Sequence, residues 1–402
     1  METEILIIGS GMVGMSLAHQ LKKKALATKI TILEKEFDIG KHSSGRNSGV
    51  IHAGIYYKPN SIKAKVCIEG AKMLKSWIKD NDLDIFECGK IITPQDKELD
   101  SQLEMLYERG KRNGAKVEFL TKKEFYEKLP FARTSTDRAL WSPNTSVVNP
   151  MQVLKKLEDN LNKMNVNILK GKANYLIDQS SNIIYLDDHK KISYKYLFNC
   201  AGLNAIDVAK IFNLANNYIL MPFKGIYWDL KEGSPFCINT NLYPVPDINV
   251  PFLGVHFTPS VGDNKRVTIG PTATLALGSE NYFGLSKIQP LNSIRNFAIL
   301  ANQFLKDKNG IRKYAKDQFP LQFERFMLSS ARKLIPELNK EHINISKKVG
   351  IRSQLFDKDK EKLVDDFLCI NHKQSTHILN AISPAFTASF ALADLIIKYS
   401  KL

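Results

Sequence analysis

The sequence has little cysteine, and it lacks any long run of apolar residues. Its five cysteines are odd in number and scattered, at Cys67, Cys88, Cys200, Cys237 and Cys369. No two of them form a Cys-x-x-Cys pair, so the sequence supports neither a disulfide framework nor a zinc site. No apolar run approaches the roughly 20 residues that a membrane-spanning helix needs. We therefore expect no metal site, no disulfide and no membrane span.

Acidic residues are outnumbered, since 57 lysines and arginines against 41 aspartates and glutamates give a formal net charge of +16 at pH 7. The lysines are spread along the chain, and they cluster only at 22–24 and in short pairs such as Lys347-Lys348. A nucleic-acid-binding protein would show a basic stripe interleaved with aromatic residues or a known module. Neither is present, so we expect no nucleic-acid partner. The charge indicates a solvated lysine-rich surface, or else a surface that attracts anionic substrates or an anionic membrane.

The N-terminal segment carries a strand, a glycine motif and a helix in direct succession. Ile5 to Ile8 is a short β-branched apolar run that predicts a strand buried on both faces. Gly9, Gly11 and Gly14 follow in G-x-G-x-x-G spacing, and the next apolar residues recur with helical period. Gly9 suits a tight turn, Gly11 the close approach of a pyrophosphate, and Gly14 the close packing of helix on strand. The phosphates of a dinucleotide would lie at the helix N-terminus.

A second apolar strand, Ile30 to Leu33, is followed by Glu34, which comes 20 residues after Gly14. In dinucleotide sites an acid at about this spacing accepts hydrogen bonds from the ribose hydroxyls of the adenosine. A glycine-rich turn without a ligand would not need this order of strand, glycines, helix, strand and acid. The segment therefore predicts a dinucleotide site, for either NAD or FAD. Neighbouring residues expected to contact the dinucleotide are Met12, Val13 and Lys35.

The rest of the chain predicts a mixed fold of α/β and α+β class with two domains. Residues 216–300 show short apolar runs separated by proline, glycine and asparagine, which is typical of an antiparallel sheet. The last segment returns to a strand and a helix. We expect a nucleotide domain of residues 1–80, 145–215 and 345–402, interrupted by a substrate domain of residues 81–144 and 216–344. Helices are expected at 61–78, 97–112, 122–128, from 150, and at 288–305, 324–334 and 383–400.

The first predicted strand begins almost at Met1. On that ground we expect no signal peptide and a cytoplasmic or processed organellar protein.

Seven motifs occur in a fixed order between residue 5 and about residue 397. They begin at Ser43-Ser-Gly-Arg-Asn-Ser-Gly-Val-Ile-His-Ala-Gly, Tyr243-Pro-Val-Pro-Asp, Pro251-Phe-Leu-Gly-Val-His-Phe-Thr, Gly270-Pro-Thr-Ala, Gly350-Ile-Arg-Ser-Gln, Leu363-Val-Asp-Asp-Phe and Asn380-Ala-Ile-Ser-Pro-Ala. With them the chain resembles the L-2-hydroxyglutarate oxidase/dehydrogenase family of the D-amino-acid oxidase superfamily of flavoproteins. Because the motifs are colinear over nearly the whole chain, they are more specific than the glycine motif alone.

The resemblance implies an FAD-binding Rossmann-like domain of the glutathione-reductase type, with an interrupting antiparallel-sheet substrate domain. It also implies oxidation of L-2-hydroxyglutarate to 2-oxoglutarate, with electrons passed to oxygen or to a membrane quinone through peripheral contact with an inner membrane. The alternative is another 2-hydroxy acid, or an amine or amino acid, on the same scaffold. Two other classes of protein remain as alternatives: a nucleotide-holding or RNA-associated binding module, and an NAD enzyme. The colour of the purified protein distinguishes both from a flavoenzyme.

Two positions depart from the family pattern. Arg46 stands where relatives often carry histidine, beside the expected flavin. Lys224-Gly225-Ile226-Tyr227 stands where relatives tend to have Arg-Gly-acid-Tyr. The second departure would alter the recognition of the distal carboxylate of the substrate.

Oxidation of a 2-hydroxy acid needs cations for the carboxylates of the substrate. Arg352 is the leading candidate for the α-carboxylate, because a guanidinium holds a carboxylate bidentately. Lys224 is the expected second cation. Tyr57 and Tyr227 could each donate a hydroxyl hydrogen bond to a carboxylate, although aromatic residues at such positions also serve as packing.

A base must remove the hydroxyl proton while hydride leaves C2. Histidine is favoured because its ordinary pKa lies near working pH. His52 and His256 both fall within the family motifs, and the sequence does not choose between them.

Ser383 as N-cap and Pro384 in the first turn predict the start of the last helix, which on local grounds could be an ordinary capped helix. The family resemblance implies that the flavin ring lies there. The free N–H groups there would stabilise negative charge on the reduced ring. Further expected cofactor contacts are Ser44, Arg46, Asn47, Ser48, Ala201, Gly202, Arg352 and Ala385.

Overall fold

The computed structural model describes residues 1–246, 253–262 and 266–402. Asp247, the last residue of the Tyr243-Pro-Val-Pro-Asp motif, and Pro251 and Phe252, the first residues of the next motif, lie outside the described residues. The helices are α1 (Met12–Lys23), α2 (Ile62–Asp80), α3 (Asp100–Arg112), α4 (Lys122–Lys128), α5 (Pro150–Lys163), α6 (Ala205–Ile211), α7 (Pro290–Leu305), α8 (Ile311–Gln318), α9 (Glu324–Ala331) and α10 (Ala385–Tyr399). Short 3-10 turns lie at Lys97–Leu99, Gly202–Asn204, Lys308–Gly310, Phe319–Gln322 and Lys340–His342.

The strands form three sheets. They are β1 (Glu2–Ile8), β2 (Ile30–Leu33), β3 (Val50–Ile51), β4 (Ile85–Phe86), β5 (Lys90–Thr93), β6 (Glu118–Thr121), β7 (Arg138–Ser142), β8 (Ser146–Val148), β9 (Asn167–Leu169), β10 (Tyr175–Asp178), β11 (Ile183–Leu186), β12 (Lys191–Asn199), β13 (Tyr218–Leu230), β14 (Asn241–Pro244), β15 (His256–Pro259), β16 (Val267–Gly270), β17 (Thr274–Leu275), β18 (Ile343–Asp357), β19 (Lys362–Leu363), β20 (Cys369–His372) and β21 (Ser375–Ile378).

The first sheet has the order β10-β11-β12-β1-β2-β9, and β21 pairs with both β12 and β20. β1 runs parallel to β2 and to β12. Ile5 and Ile7 pack with α1, α2, α5 and α10 on one face, whereas Leu6 and Ile8 pack with residues of β10, β11 and α6 on the other. The prediction of a strand buried on both faces is confirmed, and this strand holds the glycine motif at the carboxyl edge of a parallel sheet.

The C-terminal helix completes the first layer. α10 packs against α1 and α2, and the approach to α2 is close. A Cβ at Gly70 would lie 2.5 Å from the Cα atom of Ala388, so a larger residue there would push the two helices apart. This close approach fixes α10 against α2.

The second sheet has the order β19-β18-β13-β16-β15-β14-β5-β7-β6, with β17 pairing β13. Its axis is the long antiparallel pair β13–β18, which runs from Tyr218 opposite Asp357 to Leu230 opposite Ile343. The pairing register shifts between Ile226 and Trp228. The expected antiparallel sheet is confirmed, with β5 and β14 as a parallel pair within it. A small third sheet, β3-β8-β4, lies at the joint.

The predicted domain ranges stay a prediction, but one boundary needs correction. Residue 345 was expected to begin the last nucleotide-domain segment, yet β18 pairs with β13 along its whole length. Residues 345–357 therefore lie in the second sheet, because a strand that pairs with the axis of a sheet cannot be divided from it.

Side chains cap several helix N-termini. Thr121 and Glu124 form a capping box at the start of α4, and the Ser61 hydroxyl accepts a hydrogen bond from the N–H of Ala64 at the start of α2. Pro150 is the first residue of α5. The prediction that Ser383 caps the last helix was wrong: α10 begins at Ala385, preceded by Pro384, without a side-chain cap. No helix within the described ranges is long and apolar enough to cross a bilayer.

Candidate active site

Two joined cavities run along the carboxyl edge of the first sheet and under the second. The larger has a volume of about 250 Å³ and the smaller about 160 Å³. Both are lined by the same five residues at their junction, Val13, Ser43, Ser44, Ser353 and Ala381. The junction is built from segments at the two ends of the chain, and together the cavities form one extended channel.

The glycine turn forms one wall of the smaller cavity. Gly9 has a φ of +104°, and a Cβ there would lie 2.5 Å from the carbonyl oxygen of Cys200. A Cβ at Gly14 would lie 2.1 Å from the carbonyl oxygen of Gly9, so Gly14 permits the contact of α1 with the turn. At Gly11 a Cβ would meet only the Ser44 hydroxyl, at 3.0 Å. The tight turn and the close packing are as predicted, and the side of Gly11 that faces the cavity is open to a ligand.

Glu34 lies in the smaller cavity with its carboxylate already oriented. Ser10 donates to Oε2 from its backbone N–H at 2.9 Å and from its hydroxyl at 2.7 Å. The N–H of Glu36 donates to Oε1 at 3.0 Å. A carboxylate oxygen accepts more than one hydrogen bond, so this acid remains able to accept from a ligand hydroxyl.

Lys35, Ala201 and Gly202 also line the smaller cavity. The ammonium group of Lys35 bonds the carboxylates of Glu36 and Glu280. His42 joins the same two acids, and the three side chains lie close enough together to suit a metal ion. Lys35 pairs with both acids and Lys287 pairs with Glu280, so two lysines balance the two carboxylates in an ion-pair cluster.

The 43–48 loop forms the junction. Its Ser44 hydroxyl accepts from the N–H of Met12, the first residue of α1, at 2.9 Å. Asn47 donates to the carbonyl oxygen of Ser44 at 2.6 Å and accepts from the N–H of Gly49, which shapes the loop. Arg46 donates to the carbonyl oxygen of Lys41 at 2.6 Å, and its guanidinium lies 4.2 Å from the centre of the Tyr282 ring. Met12, Arg46, Asn47 and Ser48 all line the larger cavity, as do Ser383, Pro384 and Ala385 at the start of α10.

Both candidate histidines face the larger cavity. The Nδ1 atom of His256 donates to the carbonyl oxygen of Gly254 at 2.8 Å, and its ring stacks on Tyr243 at 3.8 Å between centres. Burial lowers the pKa of His256 to about 3. Burial, and the nearby charges of Lys90, His256 and Arg352, hold the pKa of His52 well below its usual range. Both rings are therefore neutral at pH 7 and able to accept a proton.

His52 is held by the last helix. Its backbone N–H donates to Oγ1 of Thr387 in α10 at 3.1 Å, and that hydroxyl donates to the carbonyl oxygen of Val50. Its Nδ1 atom is buried, and no described residue hydrogen-bonds to it. The backbone of His52 is therefore held in place, and its buried Nδ1 atom has no hydrogen-bond partner among the described residues.

Arg352 lies on β18 at the wall of the larger cavity. Burial lowers its pKa, and the nearby rings of Tyr314, Tyr57 and Tyr227 act in the opposite direction. Tyr227 lines the cavity, whereas Tyr57 lies behind it, next to Ser383 and Arg352. An arginine keeps its charge even in such surroundings, so the cavity contains a positive group.

The expected role of Lys224 is not supported by its position. Phe223, Gly225 and Tyr227 face the larger cavity, and the alternation of a strand turns Lys224 to the opposite side. Its ammonium group donates to the side-chain oxygen of Asn281 at 3.0 Å. Among the predicted site residues, Lys224, Tyr57 and Gly14 line neither cavity.

Two residues near the site were missed in the sequence. Tyr243 lines the larger cavity, and Lys90 lies against the same ring, 4.1 Å from its centre. Lys90 is 1% exposed. The available signal was a lysine at the start of the apolar run Lys90-Ile-Ile-Thr, where a buried strand seldom carries a charge.

The DAO family, described as FAD dependent oxidoreductase, matches residues 4–399 of this chain. The chain belongs to this family. Among curated proteins, the chain of this flavoprotein is 32% identical to the mitochondrial L-2-hydroxyglutarate dehydrogenase of Homo sapiens, over 98% of this chain and 87% of that protein. It is 31% identical to the L-2-hydroxyglutarate dehydrogenase of Indibacter alkaliphilus, over 100% and 99% of the two chains. The resemblance recognised from the motifs is confirmed.

Solved structures confirm the fold of this flavoprotein. L-alpha-glycerophosphate oxidase of Mycoplasma pneumoniae with FAD bound superposes with a TM-score of 0.76 at 20% identity, over 99% of this chain and 94% of that one. Glycine oxidase of Geobacillus kaustophilus gives a TM-score of 0.72 at 16% identity, with the same two coverages of 99% and 94%.

FAD is the cofactor of this flavoprotein, and the residues present fit it. The turn at Gly11 has room where a Cβ would stand in any other residue. The Glu34 carboxylate is oriented beside it, and the channel continues from there into the second cavity. A long dinucleotide requires all three features.

Proposed function

We propose that this flavoenzyme oxidises L-2-hydroxyglutarate to 2-oxoglutarate and passes the electrons to a quinone or to oxygen. The observation that carries the proposal is a cavity that holds Arg352 together with two neutral histidines, in a chain similar over its full length to L-2-hydroxyglutarate dehydrogenases. This combination supplies a binding group for the carboxylate beside C2 and a base for the hydroxyl on C2.

The proposed FAD site follows the channel. Gly9, Gly11 and the N-terminus of α1 receive the pyrophosphate, and Glu34 accepts from the ribose hydroxyls of the adenosine. The ring end lies in the larger cavity against the 43–48 loop and the start of α10. When bound, FAD supplies the acceptor for the hydride that leaves C2 of the substrate.

Arg352 is assigned to the α-carboxylate. Its guanidinium can form two parallel hydrogen bonds to a carboxylate, which fixes the direction of the neighbouring C2 atom. Tyr227 lines the same cavity, and burial raises the pKa of its hydroxyl to about 12, so the hydroxyl keeps its proton and can donate a hydrogen bond throughout the physiological range. Tyr57 supports the guanidinium from behind and does not contact the substrate.

His52 is assigned as the base. The charges of both Lys90 and Arg352 act on His52, whereas Lys90 but not Arg352 acts on His256. The base must approach the hydroxyl on the carbon that carries the α-carboxylate, so it has to lie on the arginine side of the cavity. His52 then takes the hydroxyl proton, and His256 and Tyr243 form the wall farther from the arginine.

Substrate identity is tested by anaerobic reduction of the bound flavin. We expect L-2-hydroxyglutarate to bleach the visible flavin absorption band, because hydride transfer from C2 reduces the ring. A panel with D-2-hydroxyglutarate, other L-2-hydroxy acids and L-amino acids serves as the control. The proposal fails if L-2-hydroxyglutarate leaves the band unchanged while another member of the panel bleaches it.

A peripheral contact with a membrane is proposed for the quinone route, and α7 supports it. This helix buries polar side chains and exposes apolar ones. Ser293 donates to the carbonyl oxygen of Leu277, and Asn296 to that of Leu220, on the buried side. Leu291, Ile294 and Leu305 are 85%, 68% and 73% exposed. A helix with this inverted arrangement matches a lipid interface on its outer side.

The charge around α7 fits an anionic headgroup layer. Residues 283–326 contain eight lysines and arginines against three acidic residues. Each basic residue near an anionic surface adds about 1 kcal/mol of attraction. Phe319 and Phe323, which are 63% and 54% exposed, extend the apolar surface beyond α8.

Glutamate at Leu291 and Ile294 should weaken binding to anionic vesicles at least ~10-fold, because two exposed apolar side chains no longer enter the interface. Co-sedimentation with phosphatidylglycerol vesicles measures this, and turnover with a soluble dye acceptor should stay unchanged. Leu176→Glu is the matched control, since Leu176 is 75% exposed and lies on β10 of the first sheet. Equal vesicle binding by the double variant and the parent protein would contradict the proposed contact.

A further inference from the structure

Lys90, at the start of β5, is a buried cation that has no carboxylate partner among the residues the structure describes. Its Nζ atom lies 4.1 Å from the centre of the Tyr243 ring and 5.1 Å from the centre of the Tyr56 ring. Among the described residues, the neighbours that favour its charged form are the thiols of Cys67 and Cys88, not an aspartate or glutamate. Fully buried lysines are rare unless they are paired, because a desolvated charge without a counter-charge is costly. A counter-charge from a ligand would offset this cost.

The position of Lys90 connects it to the active site. Tyr243 lines the larger cavity and stacks on His256, with ring centres 3.8 Å apart and planes inclined by 19°. Lys90 packs on the same tyrosine, and its charge acts on both His52 and His256. The ammonium group therefore lies behind the wall formed by Tyr243 and His256, at the end of a flexible four-carbon stem.

We propose that Lys90 is the second cation of the site and selects substrates that carry a second anionic group. Arg352 holds the α-carboxylate, and Lys90 attracts the distal carboxylate toward the wall formed by Tyr243 and His256. The proposal rests on the proposed function and deepens it, because it replaces Lys224, which is turned toward Asn281, as the group that distinguishes a dicarboxylate from a monocarboxylate.

Among Lys90 and the described titratable side chains around it, Lys90 is the one that titrates near neutral pH. Burial lowers its pKa to about 7. Burial raises the pKa of Cys67 on α2 to about 12 and that of Cys88, before β5, to about 11. It raises the pKa values of the Tyr56 and Tyr243 hydroxyls above their usual range, and it lowers those of His52 and His256. The attraction for an anion is therefore present below about pH 7 and is lost as the pH rises above it.

The test compares glutarate with pentanoate, which differ only in the distal carboxylate, by titration of the flavin absorbance of the holoenzyme. We expect the parent enzyme to bind glutarate roughly 30-fold more tightly than pentanoate at pH 6. This is the expected effect of the attraction between one ammonium charge and one carboxylate at short range in a medium of intermediate dielectric constant. Lys90→Met should abolish this preference, and Lys90→Arg should retain part of it. The preference of the parent enzyme should also fall between pH 6 and pH 8.5, whereas that of Lys90→Met should not change with pH.

Lys75→Met is the matched control, because Lys75 is a half-buried lysine that is paired with Glu87 on the surface. It should keep the full preference for glutarate. A flavin spectrum and a thermal unfolding curve show whether each variant is folded. The proposal is overturned if Lys90→Met keeps the preference, or if the parent enzyme has none. Failure of the substrate assignment appears instead as an unbleached flavin with L-2-hydroxyglutarate, and the binding comparison remains valid in that case.

Discussion

His52→Asn should lower kcat by about 10³-fold, within the range that general-base catalysis contributes. Asparagine keeps a polar side chain of similar reach, but it cannot accept the hydroxyl proton as the hydride leaves C2. Stopped-flow measurement of flavin reduction isolates this step from reoxidation. The parent enzyme should lose activity as the pH falls through the pKa of His52, which lies well below its usual range, because the protonated ring can no longer act as a base.

His256→Asn is the companion variant. Its ring packs on Tyr243, and its Nδ1 atom is engaged with Gly254. We expect a smaller decrease in kcat, at most about 10-fold, and an unchanged low-pH limb of the profile. If His256→Asn instead loses the pH-dependent part of kcat while His52→Asn retains it, the two assignments must be exchanged.

Arg352→Ala should raise KM by about 100-fold, the equivalent of roughly 3 kcal/mol for a charge-assisted bidentate contact. The effect falls chiefly on KM if the carboxylate is held equally in the ground state and the transition state. Steady-state kinetics with L-2-hydroxyglutarate measure both constants, and the flavin spectrum shows that cofactor binding persists.

Arg352→Lys is the control for this prediction. It keeps the charge and loses the planar fork, so it should recover only part of the affinity. Added guanidinium ion should partly restore the alanine variant, because it can refill the space of the missing side chain. Unaltered KM and kcat in Arg352→Ala would remove this residue from the substrate site.

The nucleotide end of the site could be predicted from the sequence because its determinants are local. Gly9, Gly11 and Gly14 are close neighbours on the chain, and a Cβ at Gly9 or Gly14 would collide with backbone atoms. The parallel strand that follows places Glu34 at the same edge of the sheet. His52, His256 and Arg352 were recognised from the motifs, and all three face one cavity.

The substrate end could not be predicted in the same way. Which face of β13 meets the cavity depends on its pairing with β18, whose register shifts between Ile226 and Trp228. A change of one residue in the pairing exchanges every inward and outward side chain, so the sequence alone does not show that Phe223 and Gly225 face the cavity while Lys224 bonds Asn281. Lys90 becomes a neighbour of Tyr243 only through the parallel pairing of β5 with β14, two segments far apart in the sequence.

The joined cavities also constrain when the cofactor can be captured during synthesis. Their shared lining combines Val13 and Ser44 with Ser353 and Ala381, and α10 holds His52 through Thr387. A nascent chain emerges from the ribosome with its N-terminus first. The glycine turn is therefore synthesised long before its opposite wall, which Ser353 and Ala381 complete. A chain truncated between Glu34 and Ser353 would keep the nucleotide fingerprint and lack that wall.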